Sequence, residues 1–231
     1  MTPRKTKAVE PGDEEGPDRR GAEGRWQEIA YARHAASAMY ADIIAGHRRQ
    51  QMIVRYTQGD TAITPPCPWL KPGDSAVASL IVREAMAHLG VCEEPPGSNR
   101  GPEIDAWNRR ARVAVGSYWC ASFAGAMWWS AGLVPPPNYA SCDVLMQWAK
   151  DTGRWSTNVA TLGALVLYGK PGDANHVGIV VRVSPVVLSV EGNTQIDSGF
   201  SRNGIGVGLK MVTATDPVLG YCHVTPMVPS N

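Results

Sequence analysis

The texture of this chain changes near Gly153, and that switch constrains the fold more than any other feature. Upstream lie segments with helix start and stop chemistry. Residues 76–89 follow a capping Asp74 or Ser75 and stop at Gly90, and Gly101-Pro102 opens a second short helix through Trp107. Residues 120–131 are Ala-rich and end at Gly132 and Pro135-Pro136-Pro137, and 139–150 form one more helix. Downstream, the runs 162–168, 177–183, 186–190, 204–212 and 219–224 are β-rich and separated by turn residues. Helices first and strands afterwards predict an α+β architecture.

The N-terminal third reads differently. Residues 1–24 mix balanced charge with glycine and proline and are expected to be a disordered leader. They lack the apolar core of an export signal. Residues 25–57 are a helical extension, with Trp26, Ile29, Ala36, Met39, Tyr40, Ile43 and Ile44 at three- and four-residue spacing. Residues 58–74, rich in proline and turn residues, form a linker, and 75–228 form the main domain. No segment holds enough uninterrupted apolar residues to span a membrane. A net charge of +1 and scattered basic residues give no footprint for nucleic acid. The expected site of synthesis is the cytoplasm, so a target outside it requires a delivery partner.

Chemistry concentrates in three runs. Ser117-Tyr118-Trp119-Cys120-Ala121-Ser122-Phe123 places Cys120 in the first turn of a helix. Unpaired backbone N–H groups and the positive end of the helix dipole favour thiolate there, and thiolate is the nucleophile. Asn175-His176-Val177-Gly178 offers a base, and Glu191-Gly192-Asn193-Thr194 offers groups to orient it. If 177–183 and 186–190 form a hairpin about Ser184-Pro185, an even loop puts position 176 opposite 193 and diagonal to 191. An odd loop turns both away. Glu191 would stabilise imidazolium, whereas Asn193 would fix the tautomer with less charge. The remaining cysteines of the five, Cys67, Cys92, Cys142 and Cys222, read as plain buried thiols, with no close pair to form a disulfide framework. The histidines His34, His47, His88 and His223 read as satisfied polar groups.

Together these runs, with Ser98-Asn99-Arg100-Gly101-Pro102-Glu103-Ile104-Asp105 upstream, resemble the CHAP amidohydrolase/peptidase group, close to the NlpC/P60 peptidases of the papain-like superfamily. The resemblance covers roughly residues 76–226. It implies a papain-like α+β fold whose nucleophile helix packs on a C-terminal antiparallel sheet. It implies a peptidoglycan hydrolase, either an N-acetylmuramoyl-L-alanine amidase or a stem or bridge endopeptidase, as in phage endolysins and bacterial wall hydrolases. Catalysis would fall to Cys120, His176 and Glu191 or Asn193, with Trp119, Asn175 and Trp107 binding substrate. For Trp128 and Trp129 a core position is the better expectation. The partner is peptidoglycan, reached through a holin or injection or secretion machinery. Gly163-Ala164 stands where many relatives carry Gly-Asp, and no Asp-rich calcium loop is present, so no metal or cofactor is carried over. The competing expectations are a non-catalytic wall-binding or structural component with the same fold, and a papain-like enzyme acting on proteins or on amine transfer.

Overall fold

A computed structural model describes residues 70, 74–195 and 203–227. The expected leader 1–24 and helical extension 25–57, with nearly all of the linker 58–74, lie outside the described residues. The four described helices are α1 (Ala76–Ala87), α2 (Pro102–Arg110), α3 (Cys120–Ser130) and α4 (Cys142–Asp151). The strands are β1 (Trp155–Ser156), β2 (Leu165–Lys170), β3 (Asp173–Arg182), β4 (Leu188–Thr194), β5 (Gly206–Met211) and β6 (Val218–Cys222). They form one antiparallel sheet in the order β1-β6-β2-β3-β4-β5. This is the α+β arrangement that the change of texture near Gly153 predicts, helices before strands.

Local chemistry explains the helices. In α1, Ser75 caps the N-terminus by accepting from the Ala78 N–H, and Ala78, Ile81, Val82, Ala85 and Met86 make one buried stripe. In α2, Pro102 sits in the first turn, with Glu103 and Asp105 near the start and Arg109 and Arg110 near the end, each charge complementing the helix dipole. Residues 120–128 of α3 are all buried, so this helix is wrapped by protein on every side. It packs on β3, β4, α1 and α2. Gly125 admits the Tyr139 ring against it; a Cβ there would fall 2.2 Å from ring carbons.

The strands depart from expectation in length. β3 begins at Asp173 rather than at 177, which brings Asn175 and His176 inside the ladder. β4 continues to Thr194, which brings in Glu191 and Asn193. Both extensions run through polar residues of weak strand propensity, held by the ladders with β2 and β5. β1, two residues long, is too short to show a strand pattern.

The hairpin between β3 and β4 reaches the expected register by an unexpected route. Its loop, residues 183–187, has odd length, which by itself turns the strand over. Val180 pairs with Ser189 but Arg182 pairs with Leu188, so one extra residue of β3 is bulged out. The bulge cancels the odd loop. Gly178 then lies opposite Glu191 and Ile179 opposite Val190.

The main apolar core lies between helices and sheet, with Trp119, Trp128, Phe123, Val177, Ile179 and Val190 among its buried members. A second buried cluster holds Ala164, Val166, Tyr168, Val180 and Tyr221. Ala164 belongs to this cluster, so the position where the resembled family often carries an acid is apolar here.

Candidate active site

Cys120 is the first residue of α3, behind an N-cap, Trp119, that makes no side-chain cap hydrogen bond. Backbone donors at this end therefore stay available to the sulfur, and the Ala121 N–H takes part. The Cys120 thiol is held well below its ordinary range. Its contact with the Cys142 thiol is the largest cause, burial opposes, and the hydrogen bond and charge of His176 reinforce the lowering.

His176 stands on β3 and is completely buried. Its Nε2 lies 2.9 Å from Glu191 Oε2. That contact leaves the other ring nitrogen for Cys120, whose sulfur is among the influences that raise the ring's pKa. Burial, the largest influence, pulls the imidazole down, but the Cys120 sulfur and the Glu191 carboxylate outweigh it and bring the ring up to about 10.

Glu191 on β4 is 1% exposed and is saturated with donors. Its Oε1 accepts from the Tyr168 hydroxyl at 2.8 Å and from the Ser189 hydroxyl at 2.7 Å, while Oε2 faces His176. Burial raises its pKa, yet His176, Ser189 and Tyr168 together bring it below the ordinary carboxylate range. A buried carboxylate with partners on both oxygens remains an anion and supports imidazolium beside it. Gly178 makes the contact possible. It sits opposite Glu191, and a Cβ there would fall 2.6 Å from Glu191 Cγ. The isolated glycine two residues after His176 is the sequence sign of that close approach.

Four expectations need correction. Asn193 does not meet the His176 ring: its Nδ2 donates to Asn99 Oδ1 at 2.8 Å. The ladder shifts between Glu191 and Thr194, and Asn193 takes a left-handed φ of 53°, which re-aims the side chain. Trp119 does not wall a cleft. It is fully buried, donates from Nε1 to Glu93 Oε1 at 3.0 Å, and stacks at 5.7 Å on Trp107, itself in the core. Trp128 is buried as expected, but Trp129 is exposed, with Arg110 over its ring. Cys142 is a buried free thiol as expected, and it is also the largest influence lowering Cys120. Asn175 is half-buried beside His176, and its Oδ1 has no partner among the described residues.

Sequence reading missed Tyr168, Ser189 and Cys142. Tyr168 pairs across the ladder with His176, and Ser189 lies two residues before Glu191. Cys142 comes from another helix, and nothing in its sequence neighbourhood marks the contact. Among the described residues no group of three or more His, Cys, Asp or Glu converges to hold a metal ion.

The arrangement is a thiol biased toward thiolate at a helix N-terminus, an imidazole biased toward imidazolium and a saturated carboxylate behind it. No protein-family model matches the sequence, and no curated protein matches it. Solved structures resemble the fold, two of them as follows. One is the P60 domain of an antigen from M. avium subspecies paratuberculosis, at 13% identity, covering 64% of this chain and 94% of that one, with a TM-score of 0.42. The other is the peptidoglycan hydrolase RipB from Mycobacterium tuberculosis, at 18% identity, covering 86% of this chain and 89% of that one, also with a TM-score of 0.42. At such scores neither likeness decides the chemistry.

Proposed function

We propose that this chain is a cysteine-dependent peptidoglycan hydrolase that cleaves an amide bond in the cell wall. The observation that carries the reading is the buried line Cys120–His176–Glu191, with the sulfur at the start of α3. The family resemblance of the sequence runs supplies the substrate class.

The Cys120 thiolate attacks the amide carbonyl, and the developing oxyanion takes the backbone N–H of Cys120. Imidazolium at His176 gives its proton to the departing amine, leaving an acyl-enzyme thioester and a neutral ring. That ring takes a proton from water, and the resulting hydroxide attacks the thioester carbonyl. The acid product leaves, and the thiolate–imidazolium pair is restored. Glu191 touches neither substrate nor sulfur; it orients the ring through Nε2 and stabilises its charge.

Purified sacculi test the reading. The unaltered chain is expected to solubilise them and Cys120→Ser is not. Mass spectrometry of the fragments then names the bond: new free amines on L-alanine mean an amidase, and new stem or bridge termini mean an endopeptidase. Intact sacculi after treatment with the unaltered chain overturn the reading in favour of a wall-binding component. Lysis that survives Cys120→Ser removes the mechanism. Cleavage of protein with sacculi untouched points to a papain-like enzyme of other specificity.

A further inference from the structure

Glu191 is held by more than its histidine. Two hydroxyls converge on one of its oxygens. Oε1 accepts from Tyr168 at 2.8 Å and from Ser189 at 2.7 Å, while Oε2 meets His176 at 2.9 Å. Ser189 reaches the carboxylate from the same strand, two residues away. Tyr168 reaches it from β2, where it pairs across the ladder with His176 and is 1% exposed. Its ring stands 5.8 Å from the imidazole, tilted by 40°. One side chain thus lies beside the imidazole and fastens the carboxylate.

The sheet is irregular on both sides of this residue. The ladder of β2 with β3 shifts between Tyr168 and Gly169, and its ladder with β6 shifts between Leu167 and Tyr168. Shifts of this kind re-aim a side chain. Gly169 permits the one toward β3: its φ is 150°, and a Cβ there would collide with the Asp173 carbonyl oxygen.

We propose that Tyr168 is a positioning residue of the candidate active site, fixing the Glu191 carboxylate so that Oε2 faces the His176 ring. The proposal rests on the thiol–imidazole–carboxylate reading of the site and not on the wall as substrate. The terminal torsion of a glutamate is soft, so nothing in the side chain itself fixes the carboxylate plane. Two donors on Oε1 do. Burial and the Glu191 charge hold the Tyr168 phenol well above its ordinary range, and Asp216 adds to this, so the hydroxyl remains a donor at working pH. Across β5, Gly208 stands opposite Glu191 and Lys210 opposite Ser189. Without the phenol hydroxyl the carboxylate loses a partner and an orientation. Imidazolium then loses support, and thiolate at Cys120 loses it in turn.

Tyr168→Phe keeps the ring and removes the hydroxyl alone. Iodoacetamide, applied to the full chain across pH 4 to 9 and followed by peptide mapping at Cys120, reads the thiolate without any wall substrate. In the unaltered chain alkylation should set in well below the pH of an ordinary thiol, about 8.5. In Tyr168→Phe the onset should move up by about half to one pH unit, and kcat on a soluble muropeptide should fall about tenfold with KM unchanged. Ser189→Ala should move the onset the same way but less. In a Glu191→Gln chain, adding Tyr168→Phe should give no further shift, because the tyrosine acts through the carboxylate. An unmoved onset in Tyr168→Phe with only a lower melting temperature overturns the proposal and leaves a core tyrosine. So does a full further shift in the Glu191→Gln chain, a larger shift in Ser189→Ala than in Tyr168→Phe, or a raised KM with kcat unchanged. If the onset shifts as expected in a chain that never lyses walls, the positioning role stands and the hydrolase reading falls.

Discussion

Two buried histidines in this molecule have opposite electrostatic fates. His176 is completely buried and is raised to about 10. His223, just beyond β6, is 4% exposed, and burial lowers its pKa. The difference lies in their partners. His176 meets a carboxylate and a thiol that readily becomes thiolate. His223 meets two hydroxyls, Ser156 Oγ at 2.7 Å from Nε2 and Thr161 Oγ1 at 2.9 Å from Nδ1. Hydroxyls satisfy a neutral ring but do not offset the desolvation of a charged one. A cavity of about 530 Å³ opens beside His223, lined in part by Thr161, Leu162 and Pro226. Concavity, burial and a histidine together are therefore not enough; the charged neighbours set His176 apart.

The largest expected effects come from removing either member of the charged pair. Cys120→Ser should abolish wall lysis while leaving the melting temperature nearly unchanged, since the side chains are close in size and a hydroxyl does not ionise here. His176→Ala should be equally inactive and less stable by roughly 3–5 kcal/mol, because a buried carboxylate loses its counter-charge. Lysis assays run beside denaturant melts separate the two. A His176→Ala chain that keeps its lysis would make the two histidines equivalent after all.

Next comes the carboxylate. Glu191→Gln keeps size and hydrogen-bonding capacity but removes the charge that favours imidazolium. The expected loss in kcat/KM on a soluble muropeptide is about 10²-fold. The base limb of the pH profile, which follows loss of the His176 proton near 10, should move to lower pH. An unmoved base limb would mean that the thiolate alone holds the ring charged. Asn193→Ala should be milder, because Asn193 braces Asn99 rather than the ring.

A smaller effect is expected from Gly178→Ala. The new Cβ would fall 2.6 Å from Glu191 Cγ and push the carboxylate off the ring. We expect about a tenfold fall in kcat/KM and roughly 1–3 kcal/mol of destabilisation by overpacking. Full activity with a shifted melting temperature would show that Glu191 tolerates a second position.

How much of this was legible beforehand differs residue by residue. The order of elements follows from periodicity and caps, which are local, and the chain before Gly153 and after it reads accordingly. The pairing of His176 with Glu191 follows from strand period, although the odd loop alone forbids it and only the bulge at Val181 restores it. Bulges have no strong local sequence mark, so the register was reachable but its cause was not. Asn193 shares strand parity with Glu191, but a left-handed φ breaks the parity. The burial of Trp119 and Trp107 has no local sequence mark, because large aromatics serve core and cleft alike. Cys142 lies 22 positions from Cys120 on another helix (142 − 120 = 22), and only tertiary packing joins them.

The smallest effect should come from the second histidine, and its pH dependence sharpens the contrast. In the folded chain His223 stays neutral to lower pH than in the unfolded chain, where its pKa is near 6.5. Below about 6.5 the unfolded state therefore binds the extra proton first, and stability falls as pH drops toward the folded value. The His176 site behaves otherwise. Just below about 9 the folded pair, with Cys120 held well down and the ring raised, keeps its proton on the ring, and the unfolded pair also holds one, on the thiol, so its contribution is flat. Above about 9 the unfolded thiol loses its proton while folded His176 keeps its own up to about 10, so stability falls with rising pH. His223→Asn should leave kcat/KM unchanged, cost about 1–3 kcal/mol through the hydroxyls it strands, and remove part of the acid-side slope alone. Urea melts from pH 4 to pH 10 measure both limbs. A change on the alkaline limb in His223→Asn, or a loss of turnover, would show that the two histidines are coupled and that their separation by charged neighbours is wrong.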